Sequence, residues 1–351
     1  MLTKKQIEEI KEHLEKAQNP IFYYDNDADG LCSFLILRRY IGRGKGVSVR
    51  SYPDLDARYA KKAQELNSDY VFVLDKPVIS KGFVEEIDKM QLPFVWIDHH
   101  DEVDEFSGKY DKFYAYNPAK NKGKDKSFEP VSYLAYKITG RKEDLWISTM
   151  GCIADCFMPD FAQEFVEKYP DYWGKVKTAF DAFYLTEIGK IAFALNFGLK
   201  DSITNVIQLQ NFLIGCKGPE DVFLEVNANR NFRKKNAEIR KKYDLLLDRA
   251  KKNITGNLIF FSYAGETSMS SDLSNALYYF YPDKYIAVAY KNGGKINISM
   301  RGEGIKKILK DILKDFENSS GGGHEKAVGA TIRASDLERF KEALSDVVNK
   351  K

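Results

Sequence analysis

The sequence predicts a two-domain α/β protein: a parallel sheet covered by helices on both faces, then a smaller α/β domain, with a helical linker between them. Three observations carry this. In the first part of the chain, short and almost continuously apolar runs alternate with helical segments, the pattern of strands buried on both faces. Strand-like runs return near residue 258, after a helix-forming stretch in which ten Lys or Arg residues stand against three acids between positions 230 and 252. Finally, 351 residues exceed one ordinary core and suit two. The expected division is 1–215 for the first domain with a helical extension, 216–253 for the linker and 254–351 for the second domain.

Taken in order, residues 21–25 (Ile-Phe-Tyr-Tyr-Asp) read as a buried strand, 31–41 as a helix, 70–75 as a strand, 78–90 as a helix and 92–98 as a strand. Asp25, Asp75 and Asp98 each close one of these strands. Open parallel sheets collect ligands outside the carboxyl ends of their strands, so three separate segments deliver acids to one rim. Residues 119–128, rich in lysine, read as a mobile basic loop. Residues 145–157 form an apolar helix interrupted by Asp155, an acid that must be paired or metal-bound in such surroundings. The stretch 160–213 is mainly helical and aromatic-rich. In the second domain, strands are expected at 258–263, 285–290, 295–300 and 327–333, with helices near 272–280, 305–316 and 336–348.

Asp25, Asp27 and Asp29 stand at alternate positions after the first apolar run. Like charges so close repel unless a cation lies among them. A second cluster, Asp98-His99-His100, follows another apolar run, and the last histidine of the chain lies in Gly321-Gly322-Gly323-His324. His13 alone lies outside a motif and reads as a solvated helix residue. Imidazole mixed with carboxylates favours a transition metal over calcium or magnesium. Cys32, Cys152, Cys156 and Cys216 lack a CxxC spacing and read as buried, reduced thiols. A net charge of +3 excludes a generally basic nucleic-acid binder, which leaves the basic helix as the local candidate for a phosphate backbone. No apolar run reaches the roughly 18 residues of a membrane span, and residues 1–18 do not resemble a signal peptide. A cytoplasmic protein without membrane contact is expected.

Together these residues resemble the DHH phosphoesterase family in its RecJ-like nuclease branch. Asp25-Asn26-Asp27-Ala28-Asp29-Gly30 is similar to the first motif, Asp75 to the second, Asp98-His99-His100 to the third and Gly151-Cys152-Ile153-Ala154-Asp155 to the fourth. Gly321-Gly322-Gly323-His324, with Ala327-Val328-Gly329, resembles the signature of the DHH-associated substrate domain. The resemblance implies two divalent metals, usually manganese, with magnesium also able to serve. Asp27 would serve one ion, Asp29 the other, and Asp75 would bridge them, with His99 and Asp155 completing the second site. Some branches open the first motif with a histidine; here Asp25 stands in, as in RecJ-like members, and joins the first ion. His100 would face the phosphate, Asp98 would orient it, and Arg301, Gly321, Gly322, Gly323 and His324 would contact substrate. The implied activity is exonuclease action on single-stranded DNA or RNA. The alternatives are a phosphoesterase for very short RNA, cyclic dinucleotides or adenosine bisphosphate, and a replisome or helicase-associated scaffold with weak or no catalysis. A helicase or other replication or repair partner and a homo-oligomer are further expectations.

Overall fold

The computed structural model describes residues 1–51, 54–101 and 104–350, apart from the His324 side chain. It divides into two compact units, Met1–Asn236 and Ala237–Lys351. The first carries strands β1 (Pro20–Asp25), β2 (Lys45–Val49), β3 (Asp54–Leu55), β4 (Tyr70–Leu74), β5 (Val78–Ile79), β6 (Phe94–Ile97) and β7 (Phe113–Tyr116). Five of them form one parallel sheet in the order β2-β1-β4-β6-β7, while β3 and β5 pair separately.

Around the sheet run α1 (Lys4–Lys16), α2 (Ala28–Ile41), α3 (Ala60–Glu65), α4 (Lys81–Lys89), α5 (Val131–Thr139), α6 (Leu145–Ala154), α7 (Ala162–Lys168), α8 (Ala179–Leu185), α9 (Glu187–Gly198) and α10 (Ile203–Gly215). Successive side chains on a strand point to opposite faces. Phe22, Tyr24, Phe72 and Leu74 therefore join the core shared with α2, α5, α6 and α9. Ile21, Tyr23, Val71 and Val73 join the opposite core with Phe83 and Ile87 of α4. Both faces are buried, so the central strands read as unbroken apolar runs. The edge strands β2 and β7 are less covered and show no such run.

Several details differ from expectation. The helix expected at 78–90 starts at Lys81: Val78 and Ile79 pair with Asp54 and Leu55, and the Ser80 hydroxyl caps α4 by accepting from Phe83 N at 3.2 Å. The lysine-rich segment contains two 3-10 turns, Pro118–Lys120 and Gly123–Asp125. It is tethered by Lys120 Nζ to Asp101 at 3.0 Å and by Asn121 Nδ2 to the Met1 carbonyl at 2.9 Å. His13 is buried, not solvated: its Nδ1 lies 2.6 Å from the Tyr70 hydroxyl and its ring packs on Tyr114. The four cysteines are free thiols, but Cys156 is exposed because its left-handed backbone, φ 56°, turns the chain out of the core after α6.

α11 (Arg230–Lys251) contains the division between the units. Phe232, Ile239, Tyr243, Leu247 and Ala250 are its buried side, and Lys234, Arg240, Lys241, Lys242 and Arg249 are exposed. The second unit adds β8 (Ile254–Thr255), β9 (Leu258–Ala264), α12 (Ser270–Phe280), β10 (Tyr285–Asn292), β11 (Lys295–Arg301), α13 (Ile305–Ile312), β12 (Ser320–His324), β13 (Ala327–Arg333) and α14 (Leu337–Val348). Its six strands run β12-β13-β11-β10-β9-β8, parallel only between β9 and β10. Gly321, Gly322 and Gly323 lie in the edge strand β12, opposite Ala330, Gly329 and Val328. The ladder thus occupies part of the backbone of the three glycines expected to contact substrate. Among the described residues no helix is long and apolar enough to cross a membrane.

Candidate metal centre

The first acids arrive where β1 passes into α2. Asp27 is the N-cap, its Oδ1 accepting from Gly30 N at 2.9 Å, and Asn196 Oδ1 takes the Ala28 N–H at 2.8 Å. A Cβ at Gly30 would come within 2.5 Å of the Asp25 carbonyl oxygen and 2.8 Å of its nitrogen, so glycine is required for α2 to start against the strand end. Acids in this turn also sit at the positive end of the helix dipole.

Asp29 is buried in the first turn of α2 and reaches another helix. Its Oδ2 accepts from Val131 N at 2.7 Å, and its Oδ1 accepts from Ser132 N at 3.0 Å and from the Ser132 hydroxyl. These are the first N–H groups of α5, whose own N-cap, Pro130, supplies no side-chain cap. A carboxylate offers about four lone-pair sites. Three are taken here, which leaves one, on Oδ2, for a cation. Gly151 keeps this arrangement tight: a Cβ there would collide with the Ser132 hydroxyl and lie 3.1 Å from Cys32 Cβ.

β4 delivers Asp75 in the left-handed region, φ 57°, a conformation Asp tolerates better than most residues, with its N–H bonded to Ile97 O at 3.0 Å. β6 delivers Asp98, His99 and His100. Buried Asp98 accepts from His100 N at 3.0 Å and from His100 Nδ1 at 2.9 Å, while Asn117 Nδ2 holds the His100 carbonyl at 2.8 Å. His99 Nδ1 lies 3.2 Å from the Phe128 carbonyl, which can only accept, so Nδ1 carries a proton and Nε2 is the nitrogen left to face the acids. That Nε2 is 3.4 Å from Asp75 Oδ1 and 3.8 Å from Oδ2 of Asp155, the C-cap of α6. Ligand atoms of Asp75, His99 and His100 lie within 4.8 Å of one another.

Crowding shows in the titration of these acids. Loss of hydration first, then Asp25 and Asp29, push Asp27 up to about 7. Asp155 is raised to about 6 by loss of hydration, with His99 opposing and Asp29 adding. Asp75 is raised well above the carboxylate range by burial and then by Asp29, Asp27 and Asp25. Since Asp27 and Asp155 still meet solvent while Asp29 and Asp75 are buried, the neighbouring charges are the part that a cation entering from the open side reverses. Burial alone would lower His100, but its hydrogen bond to Asp98 and the surrounding carboxylates raise it to about 9. Crowded carboxylates around an imidazole nitrogen fit a divalent transition metal.

The remaining expected residues have partners of their own. Asp25 closes β1 with its Oδ1 2.9 Å from Lys76 Nζ. In the second unit, Arg301 ends β11, its Nε donating to Asn275 Oδ1 at 2.6 Å and its Nη1 to the Met300 carbonyl at 2.8 Å. Gly321, Gly322 and Gly323 lie in β12; His324 ends that strand opposite Ala327, and its side chain lies outside the described residues. Sequence reasoning missed Lys76, Ser132 and Asn117. A lysine between the apolar runs 70–74 and 78–79 is the one signal that pointed to any of them.

Two outcomes follow from this geometry. A cation held by Asp27 and Asp155 has to displace their protons, so manganese affinity is expected to be full above about pH 7 and to fall as pH drops through about 6; calorimetric titration at about pH 8 and about pH 5.5 is expected to differ by roughly tenfold or more. An unchanged affinity would place those acids away from the ion. Gly151→Ala, which displaces Ser132 from Asp29, is expected to weaken manganese binding by about 10- to 100-fold, whereas Gly215→Ala, in open space, leaves it unchanged.

Residues 21–163 match the DHH family, N-terminal domain, and residues 255–350 the DHHA1 domain. No curated protein matches the chain in sequence. Among solved structures, RecJ from Thermus thermophilus in complex with Mn2+ is 14% identical with a TM-score of 0.60; the match covers 98% of this chain and 54% of that one, so the chain spans about half its length. A second structure, exonuclease RecJ bound to manganese, is also 14% identical at a TM-score of 0.60, covering 100% and 96% of the two chains. The pGpG-specific phosphodiesterase PggH from Vibrio cholerae is 13% identical at a TM-score of 0.53, with 95% and 99% covered. At these identities the likeness is one of fold. With its DHH domain followed by a DHHA1 domain, the chain belongs to the DHH phosphoesterase family and is RecJ-like in architecture.

Proposed function

We propose that this chain is a manganese-dependent phosphodiesterase that acts as an exonuclease on single-stranded DNA or RNA, with magnesium as the alternative ion. The observation that carries this reading is the convergence of Asp27, Asp29, Asp75, Asp155 and Nε2 of His99 from three strand ends and two helix ends. When bound, divalent ions supply Lewis-acid polarisation of phosphoryl oxygens and a water acidic enough to attack at neutral pH.

The side chains do the rest. Asp29 and His99 are pre-oriented, one by the α5 N-terminus and the other by the Phe128 carbonyl, so neither reorganises on loading. Asp75 lies 3.4 Å from His99 Nε2 and is raised by Asp29 and Asp27, so it would be the group to bridge two ions. Asp98 holds the Nδ1 proton of His100, which keeps Nε2 for a non-bridging phosphate oxygen. With its value near 9, His100 is positively charged at neutral pH and suits the anion. Arg301 and the β12 backbone, with His324, are the groups of the second unit assigned to substrate phosphate; the planar guanidinium is already fixed by Asn275.

A polymer substrate is supported by α11. Its exposed Lys234, Lys241 and Lys242 lie on the solvent side of an anchored helix, where a phosphate backbone can follow them. A second reading, a phosphoesterase for dinucleotides, is favoured by the similarity in fold to PggH, whose whole length the chain matches.

A single panel separates the two readings. Single-stranded DNA and RNA of two to about thirty nucleotides, labelled at either end, are digested with manganese by the wild type and by a variant with Lys234, Lys241 and Lys242 changed to Glu. Ladders on long strands, slowed by the charge reversal far more than dinucleotide cleavage, are expected. Cleavage limited to the shortest substrates and indifferent to the reversal would make this a dinucleotide enzyme.

A further inference from the structure

Lys76 follows Asp75 directly, and its side chain is fully buried. Its Nζ lies 2.9 Å from Asp25 Oδ1 and 2.9 Å from the Ser51 carbonyl, and its own carbonyl accepts from Trp96 Nε1 at 2.9 Å. Asp25 Oδ1 also accepts from Asn26 N at 3.0 Å, so both lone pairs of that oxygen are in use. The left-handed backbone at Asp75 is what allows neighbouring residues to present a carboxylate to the ion centre and an ammonium to the end of β1.

The family resemblance implies Asp25 as a ligand of the first ion. The geometry assigns it otherwise: we infer that Asp25 is the counter-ion of Lys76, and that the pair sets the net charge of the centre without binding metal. Resting on the metal-centre reading above, this gives a charge balance. Asp25, Asp27, Asp29, Asp75 and Asp155 bring five negative charges and Lys76 one positive, leaving four, which two divalent ions neutralise. A dication on Asp25 would face the buried ammonium across one carboxylate, an unfavourable approach in a site with little water. Lys76 is a positioning residue: it acts on the ions through Asp25 and through the chain turn at Asp75. The first ion is then held by Asp27 and Asp75 and is the weaker of the two.

The test is a charge-swap cycle read by manganese binding, not by turnover. Wild type, Asp25→Asn, Lys76→Met and the Asp25→Asn/Lys76→Met double variant are titrated with Mn2+ by calorimetry and equilibrium dialysis, with thermal melting as the check of folding. Asp25→Asn alone leaves a buried cation beside the centre and is expected to weaken the looser ion by about tenfold or more. In the double variant, stoichiometry and affinity return to within about threefold of wild type, because no net charge has changed. Loss of one ion in the double variant, equal to that in Asp25→Asn, makes Asp25 a ligand and overturns the inference while leaving the metal centre standing. Absence of manganese binding by the wild type removes both. If the double variant does not fold, a manganese-soaked crystal of the wild type decides: Lys76 Nζ stays on Asp25 with no ion on its carboxylate, or an ion bonded to Asp25 overturns the assignment.

Discussion

The structure depends on keeping several carboxylates together at one end of a sheet. Asp29 is where that constraint is met most completely. It is buried, yet three hydrogen bonds from the first turn of α5 hold it. The bonds serve two needs at once, since α5 begins after a proline with no side-chain cap and Asp29 needs donors in place of water. Because the carboxylate comes from α2 and the donors from α5, the contact also locks together two of the helices that cover one face of the sheet. Gly151, on α6, lets a third helix come close to the same point.

From this anchor the other groups take their places. β1, β4 and β6 are adjacent and parallel, so their carboxyl ends lie side by side and Asp25, Asp75 and Asp98 emerge at one rim. Each acid then meets a different partner. Asp25 faces an ammonium, Asp98 an imidazole, and Asp75 the other acids together with Nε2 of His99. The result is a division of labour by surroundings: two acids neutralised by protein cations, and a remainder whose raised values show that the protein alone does not balance them. A centre of that kind suits divalent ions, whose charge the proposed function brings to bear on a phosphoester.

Much of this was legible in the sequence, for a physical reason. A central strand of a parallel sheet is apolar on both faces, so runs such as Phe22–Tyr24 and Phe72–Leu74 stand out, and an acid that follows such a run marks the rim. The α/β class, the two-domain order and the strand-end position of the acids came from that pattern. What escaped was everything that depends on a partner far along the chain. Lys76 finds Asp25 across 51 residues and Ser132 finds Asp29 across 103, and neither has a local signature. His13 sits among charged neighbours in sequence, but its helix turns it onto Tyr70, so local polarity misreports its burial. The glycine run carries no strand signature because glycine disfavours strands, and only pairing with β13 makes it one.

The central claim is that the acids gathered at the strand ends hold the ions that hydrolyse a phosphodiester, with Asp75 at their middle. The most direct measurement compares turnover of a short single-stranded oligonucleotide by the wild type and by Asp75→Asn, with manganese and with chelator. Asparagine tolerates the same left-handed backbone, so folding is preserved. The account predicts turnover by the wild type with manganese alone, none with chelator, and a fall of at least about a hundredfold in the variant. Turnover that persists in chelator, or near-normal manganese-dependent turnover by a folded Asp75→Asn protein, would contradict it.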